Sequence, residues 1–139
     1  MIKSFFASLV MILFLDFIWL DLIMKKFNLN QLSSIGRVEN GHFQVLVLPT
    51  ILAYFLLAFA VAHFSIPKAI IAKSGIVAFF QGAALGLVIY GIFDLTNLSI
   101  LKGYPMFFAV ADILWGCVLC GTTTWALGYR FKKQIEGTK

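Results

Sequence analysis

Hydrophobic positions in this chain neither alternate nor form a narrow stripe; they run on. Four apolar windows stand out, at about residues 4–24, 43–64, 74–93 and 105–129. Each is about 20 residues or longer, enough to cross a ~30 Å hydrocarbon core as a helix. Barrel strands would instead alternate polar and apolar residues over ~10 positions. Backbone groups in lipid must be paired within their own segment, which also selects helices. Between the windows lie KKFNLNQLSSIGRVENGH, SIPKAIIAK and DLTNLSILKGYP, and the chain closes on RFKKQIEGTK. Asn40-Gly41 is a turn signal in the longest of these. Connections this short make sequence neighbours antiparallel neighbours in space. The pattern predicts an all-α integral membrane protein, a four-helix up-down bundle forming one domain over residues 1–139.

Composition sharpens this. Of 139 residues, 61% are hydrophobic and 12% are charged, with a mean hydropathy of +0.96. A soluble domain carries about 25% charged residues, and one this small has no interior that could hide the excess apolar surface. A soluble enzyme, a disordered tail and a nucleic-acid module are excluded, and the lipid bilayer is the expected partner. The net charge of +5 then belongs to loops anchored at a membrane face and not to a nucleic-acid footprint. One side would carry Lys3, Lys68, Lys73, Arg130, Lys132, Lys133 and Lys139, the other Lys25, Lys26, Arg37 and Lys102. Seven against four places both termini in the cytoplasm. The first window resembles a signal peptide, but it is long, interrupted by Asp16 and followed by no small-x-small site, so it reads as a retained helix.

The acids carry the chemistry. Of six, Asp16, Asp21, Asp94 and Asp112 lie within or at the ends of the windows. Asp16 sits ~13 Å below Lys25 and Asp112 ~10 Å below Pro105, so all four belong to the outer half of the bundle. A charged Asp at mid-helix costs roughly 2.5–3.5 kcal/mol on insertion scales. No Lys or Arg within a window offsets that cost. The carboxyls are then neutral acids, proton-sharing pairs, lining of a wet cavity, or ligands of a cation. That cation would be a metal, an amine, or Lys102, Arg37 or Lys25 folded inward. The alternative is that each Asp only bonds a neighbouring helix.

Helical spacing points to a common cleft. Gly82, Gly86, Tyr90 and Asp94 repeat every four residues, with Asn97 three further on if the helix continues. Asp112, Gly116, Cys120, Thr124 and Gly128 form a second such ridge, and Ser4, Ser8, Ile12 and Asp16 a third. Small residues at this spacing let helix backbones approach closely. The second window has no acid and reads as a wall, with Gln44 and Pro49 near its outer end. Cys117 and Cys120 have CxxC spacing but sit inside an apolar window and read as packing residues. Glu39 and His42 with the aspartates are a weak metal-site candidate, and no specific cofactor is implied. Trp19, Trp125, Tyr104 and Tyr129 read as interfacial anchors, and Trp115 as a deeper wall of the cleft. Asp16-x-x-Trp19 and Asp112-x-x-Trp115 repeat one pattern, which chance explains better than an inverted repeat does. No nucleophile elbow, HExxH, P-loop or glycine-rich nucleotide motif occurs.

Asp16-Phe-Ile-Trp19-Leu, Tyr90-Gly-Ile-Phe-Asp94-Leu-Thr-Asn97, Leu101-Lys-Gly-Tyr-Pro105 and Asp112-Ile-Leu-Trp115-Gly together resemble the DUF2177 family of small bacterial membrane proteins. The resemblance implies the four-helix topology and a bacterial cytoplasmic (inner) membrane. It implies no reaction and no catalytic residue.

Three functions remain open. The first is binding or transport of a cation, a proton or a small solute in an outward-facing cleft. Asp16 and Asp112 would form its floor, Tyr90, Asp94 and Asn97 its rim, and Trp19 and Trp115 would line it. A homodimer would suit so small a transporter. The second is an intramembrane enzyme on a lipid substrate, with paired carboxyls as acid and base. The third is an accessory subunit of a larger membrane complex.

Overall fold

The computed structural model describes residues 1–137; Lys139, counted above among the basic residues, lies outside them. Four helices are long and apolar enough to cross a membrane: α1 (Ile2–Ile23), α3 (Val47–Ile70), α4 (Gly75–Ile100) and α5 (Met106–Glu136). The first connection holds a short helix, α2 (Lys25–Leu32). It also holds a two-stranded hairpin of β1 (Val38–Glu39) and β2 (His42–Phe43). The hairpin turns at Asn40 and Gly41, both at positive φ (51° and 74°), as a tight two-residue turn requires.

Most of each span's most hydrophobic window faces outward; only 17–33% of it is buried inside the protein. Phe6, Leu56 and Ile92 are each more than half exposed. In water this surface would drive aggregation; in acyl chains it costs nothing.

The boundaries differ from those expected, in instructive places. Helix α4 does not stop near Phe93 but runs to Ile100, carrying Asp94 and Asn97 on the same ridge. Helix α5 does not stop at Tyr129; the basic tail continues as helix to Glu136. At about 46 Å it outruns the hydrocarbon core, so its last turns lie in the polar interface. The second span starts at Val47, because Phe43 belongs to the hairpin. Pro49 falls in its first turn, where a missing N–H is tolerated. Pro67 does not end the span either. The chain widens into a π segment at Val61–Ser65 and then resumes as α-helix through Ile70. A widened turn before a proline moves the preceding carbonyls away from its ring.

The α4–α5 pair is the tightest packing in the molecule. A Cβ on Gly82 would collide with the Cys120 carbonyl and the Thr124 side chain, and one on Gly86 with the Gly116 carbonyl. Only bare backbone permits this approach. The two four-residue ridges therefore meet in antiparallel register, ending in the pair Asp94 and Asp112. On α1 the ridge residues Ser8, Ile12 and Asp16 are the buried ones. Ile12 and Leu119 belong to the same apolar core, with Ala58 and Val61 of α3.

Candidate functional site

Above Gly86 the α4–α5 contact is taken over by a ring. The Tyr90 side chain lies against Gly116, and from there the four spans part. They leave a cavity of about 350 Å³ in the half of the bundle away from the two chain ends (the outer half of the sequence expectation), lined by Asp16, Tyr54, Tyr90, Asp112 and Trp115, with Thr50 and Phe108 nearer its mouth. All four spans contribute. Counted along the helices, Asp16 and Asp112 lie about 10 Å below the outer ends of α1 and α5, and Tyr90 and Trp115 about 15 Å below theirs. Tyr90, expected at the rim, therefore lies at the floor with Trp115, and the two carboxyls, expected at the floor, stand above them. No Lys or Arg is in the lining. Lys102 and Arg37, considered as inward-folding counter-charges, are exposed, and Lys25 is not part of the cavity wall.

Two hydrogen bonds fix the acids. The Trp115 indole Nε1 donates to Asp16 Oδ1 at 2.7 Å, joining the last span to the first. Asp16 is only 5% exposed, and the Tyr54 hydroxyl is its second polar neighbour. Trp19 and Trp115 stack with ring centroids 4.4 Å apart and planes 4° from parallel. The two Asp-x-x-Trp segments thus meet face to face beside the cleft. Trp19 lies in a π segment, Phe17–Ile23, that begins directly after Asp16 and ends in a bond from Met24 N to the Trp19 carbonyl. The wider turn changes the phase of the side chains beyond Asp16, and such insertions recur at functional sites.

The second bond comes from a connection. Gly103, at φ 81°, turns the chain between α4 and α5, so that the Tyr104 hydroxyl donates to Asp94 Oδ1 at 2.7 Å. Burial, and then this bond, hold the Tyr104 hydroxyl above the ordinary tyrosine value of 10. Asn97, one turn from Asp94, neighbours the same hydroxyl. Asp94 is fully buried. It does not line the cavity but stands behind Asp112, whose carboxyl lies within hydrogen-bonding reach of it. Its second oxygen, Oδ2, has no hydrogen-bond donor. A single proton held between Asp94 and Asp112 would satisfy both groups, since two carboxyls can bond only through a shared proton.

Asp16, Tyr90, Asp112 and Trp115 thus share one cavity. Trp19 backs Trp115, Asp94 stands behind Asp112, and Asn97 neighbours the Tyr104 hydroxyl that bonds Asp94. Asp21 is exposed and takes no part in the lining. Three contributors escaped the sequence reading. Tyr104 is a donor to a buried acid and not merely an anchor. The second span is more than a wall, because it supplies Tyr54 and Thr50. The signal was there: Thr50 and Tyr54 are polar residues one turn apart in an otherwise apolar run. Glu39 and His42 pair across the hairpin and are both exposed. Among the described residues no group of three His, Cys, Asp or Glu side chains is placed to hold a metal ion, so the metal candidate from Glu39, His42 and the aspartates is not assembled. Both cysteines are free, and Cys120 sits in the buried core.

A family model described as "Predicted membrane protein (DUF2177)" matches residues 1–129, and the chain belongs to that family. No curated protein and no solved structure matches the chain.

Proposed function

We propose that this DUF2177 member binds a cation in the cleft between its four spans and carries it across the membrane in exchange with protons. One observation carries the reading: carboxyls from the first and last spans line one cavity in whose wall there is no basic side chain. At about 350 Å³ the space is far larger than a bare ion needs, since one water occupies ~30 Å³. Its walls include Tyr54, Tyr90, Phe108 and Trp115. Aromatic faces beside carboxylates favour an organic ammonium over a strongly hydrated metal ion, because the ring quadrupole attracts a charge spread over apolar substituents. Protons compete for the same carboxyls, so loading the Asp94–Asp112 pair with a proton lowers affinity for the cation. The protein would act in the bacterial cytoplasmic membrane, with both termini in the cytoplasm, the cleft facing outward, and two copies forming the working unit.

The test is titration of the full chain in detergent with benzylammonium, alongside Asp16→Asn, Asp112→Asn and Asp21→Asn. The first two variants should bind at least about tenfold more weakly, a loss of ~1.4 kcal/mol. Asp21→Asn should match the parent. Equal affinity across all four proteins, each with its helix content intact, would sink the proposal. In proteoliposomes, benzylammonium uptake into the lumen should acidify the external medium, because protons leave the lumen in exchange.

A further inference from the structure

The opposite end of the bundle holds a second cavity of different chemistry. It has a volume of about 380 Å³ and is walled by Lys73, Lys132 and Lys133, with Trp125 and Tyr129 beside them; Glu136 is the one acid in its lining. Along α5 it lies about 30 Å from Asp112, the thickness of the hydrocarbon core. The cleft has acids and no base in its wall; this cavity has three bases and one acid.

The polar groups here are overwhelmingly donors. Lys132 Nζ reaches the Ala72 carbonyl at 3.5 Å, and Lys133 Nζ lies 5.0 Å from the centroid of the Tyr129 ring. Neither contact neutralises an ammonium. Ser74 and Gly75, which open α4, also line the space. The Ser74 hydroxyl caps the Val77 N–H, while the N–H groups of Gly75 and Ile76 fall within the unsatisfied first turn. The Trp125 indole nitrogen packs where a Cβ on Gly75 would stand, 2.6 Å from it. That leaves no room for a side chain at Gly75 and sets the indole beside the helix start in the same lining. Trp125 and Tyr129 are 47% and 58% exposed, at the depth where aromatic side chains meet lipid headgroups.

We infer that this cavity is a phosphate-binding site that holds the headgroup phosphodiester of an anionic membrane lipid. Three ammonium groups and free backbone N–H donors match phosphate oxygens, which only accept. The flanking aromatic faces continue into the apolar flank of α5, where acyl chains would lie. A soluble phosphate ester would make the same polar contacts and leave those faces unused. The site is independent of the acidic cleft and stands whether or not a cation binds there.

Native mass spectrometry of the full chain in detergent tests this with short-chain phosphatidylglycerol, short-chain phosphatidylcholine and inorganic phosphate as probes. The parent should retain phosphatidylglycerol at least about tenfold more tightly than phosphatidylcholine. Removal of each lysine should cost about fivefold, so Lys73→Gln/Lys132→Gln should lose about 25-fold. Lys133→Gln touches no backbone contact and guards against a folding artefact; it should lose about fivefold by itself. Lys25→Gln/Lys26→Gln, at the other end of the bundle, should change nothing. Displacement of the lipid by inorganic phosphate at millimolar concentration, with the same lysine dependence, would keep the phosphate chemistry and assign a soluble source. Retention of phosphatidylcholine equal to that of phosphatidylglycerol overturns the inference. So does a loss that is the same in Lys25→Gln/Lys26→Gln as in Lys73→Gln/Lys132→Gln.

Discussion

The inner and outer halves of the α4–α5 pair are built from the same two helices in the same register, yet one is closed and the other open. In the inner half Gly82 and Gly86 lie against the backbone of Cys120 and Gly116. In the outer half the same ridge carries Tyr90 and then Asp94, and the helices part around a cavity. Bare backbone brings helices together; a ring placed on that seam separates them and leaves polar groups above it with neither lipid nor protein to fill the space. The closed half therefore acts as a clamp that fixes the spacing of the open half. Side chains added to the clamp should reach the cleft, whereas changes in the cleft should leave the clamp intact.

The largest effect should come from breaking the clamp. A Cβ at Gly86 would collide with the Gly116 carbonyl, and backbone cannot move aside as a flexible side chain can. Gly86→Val should cost about 3 kcal/mol, the upper end of overpacking penalties. Denaturant titration in mixed micelles would read this, and benzylammonium binding should fall with it. A cleft variant tests the other direction. Trp115→Phe keeps an aromatic face against Trp19 but removes the donor to Asp16. A hydrogen bond to a charged or nearly buried carboxyl is worth about 2 kcal/mol. Stability should fall by that amount while the α4–α5 spacing, read by cysteine pairs placed on the two helices, stays the same.

Tyr104→Phe sharpens the comparison from outside the membrane. Its hydroxyl reaches back to Asp94 from the connection, so its loss should cost about 1 kcal/mol. It also has a pH signature. The hydroxyl is held above its unfolded value of 10, first by burial and then by Asp94. The folded state thus favours the neutral phenol. That stabilisation is complete below pH 10 and is withdrawn as pH rises above it, because the unfolded chain ionises first. The parent should lose stability through alkaline pH more steeply than Tyr104→Phe does.

The sequence carried this division unevenly. The ridges Gly82–Asp94 and Asp112–Gly128 were legible because helical period and residue size are local properties. Their antiparallel meeting followed from short connections. The depth of Asp16 and Asp112 followed from rise per residue. What the sequence did not reveal was where each helix widens or stops. The π segment after Asp16 depends on packing with other spans, and no residue type marks it; Pro67 is visible in the sequence, but it does not by itself say that the helix widens rather than ends. The continuation of α4 past Asp94 was hidden because polar residues at the end of an apolar run look like a loop, yet here Tyr104 and Asp112 give that carboxyl its partners. Tyr54 was missed for a related reason: one hydroxyl in an apolar run has no meaning until the acid opposite it is known.

The smallest expected effect isolates the cause of the difference between the halves. Gly91 is on the same helix as Gly86, five positions further on, and a Cβ there would meet nothing within 4 Å. If glycine mattered in α4 for backbone flexibility, substitution at either site should hurt. If it matters only where backbones touch, Gly91→Ala should be neutral or stabilise by about 0.5 kcal/mol, the usual cost of glycine within a helix. Measured beside Gly86→Ala under the same denaturant titration, the two substitutions change the chain by the same methyl group and differ only in what that group meets. A loss at Gly91 comparable to the loss at Gly86 would mean that the cleft depends on the pliability of α4. The clamp would then have to be abandoned as the reason the outer half stays open.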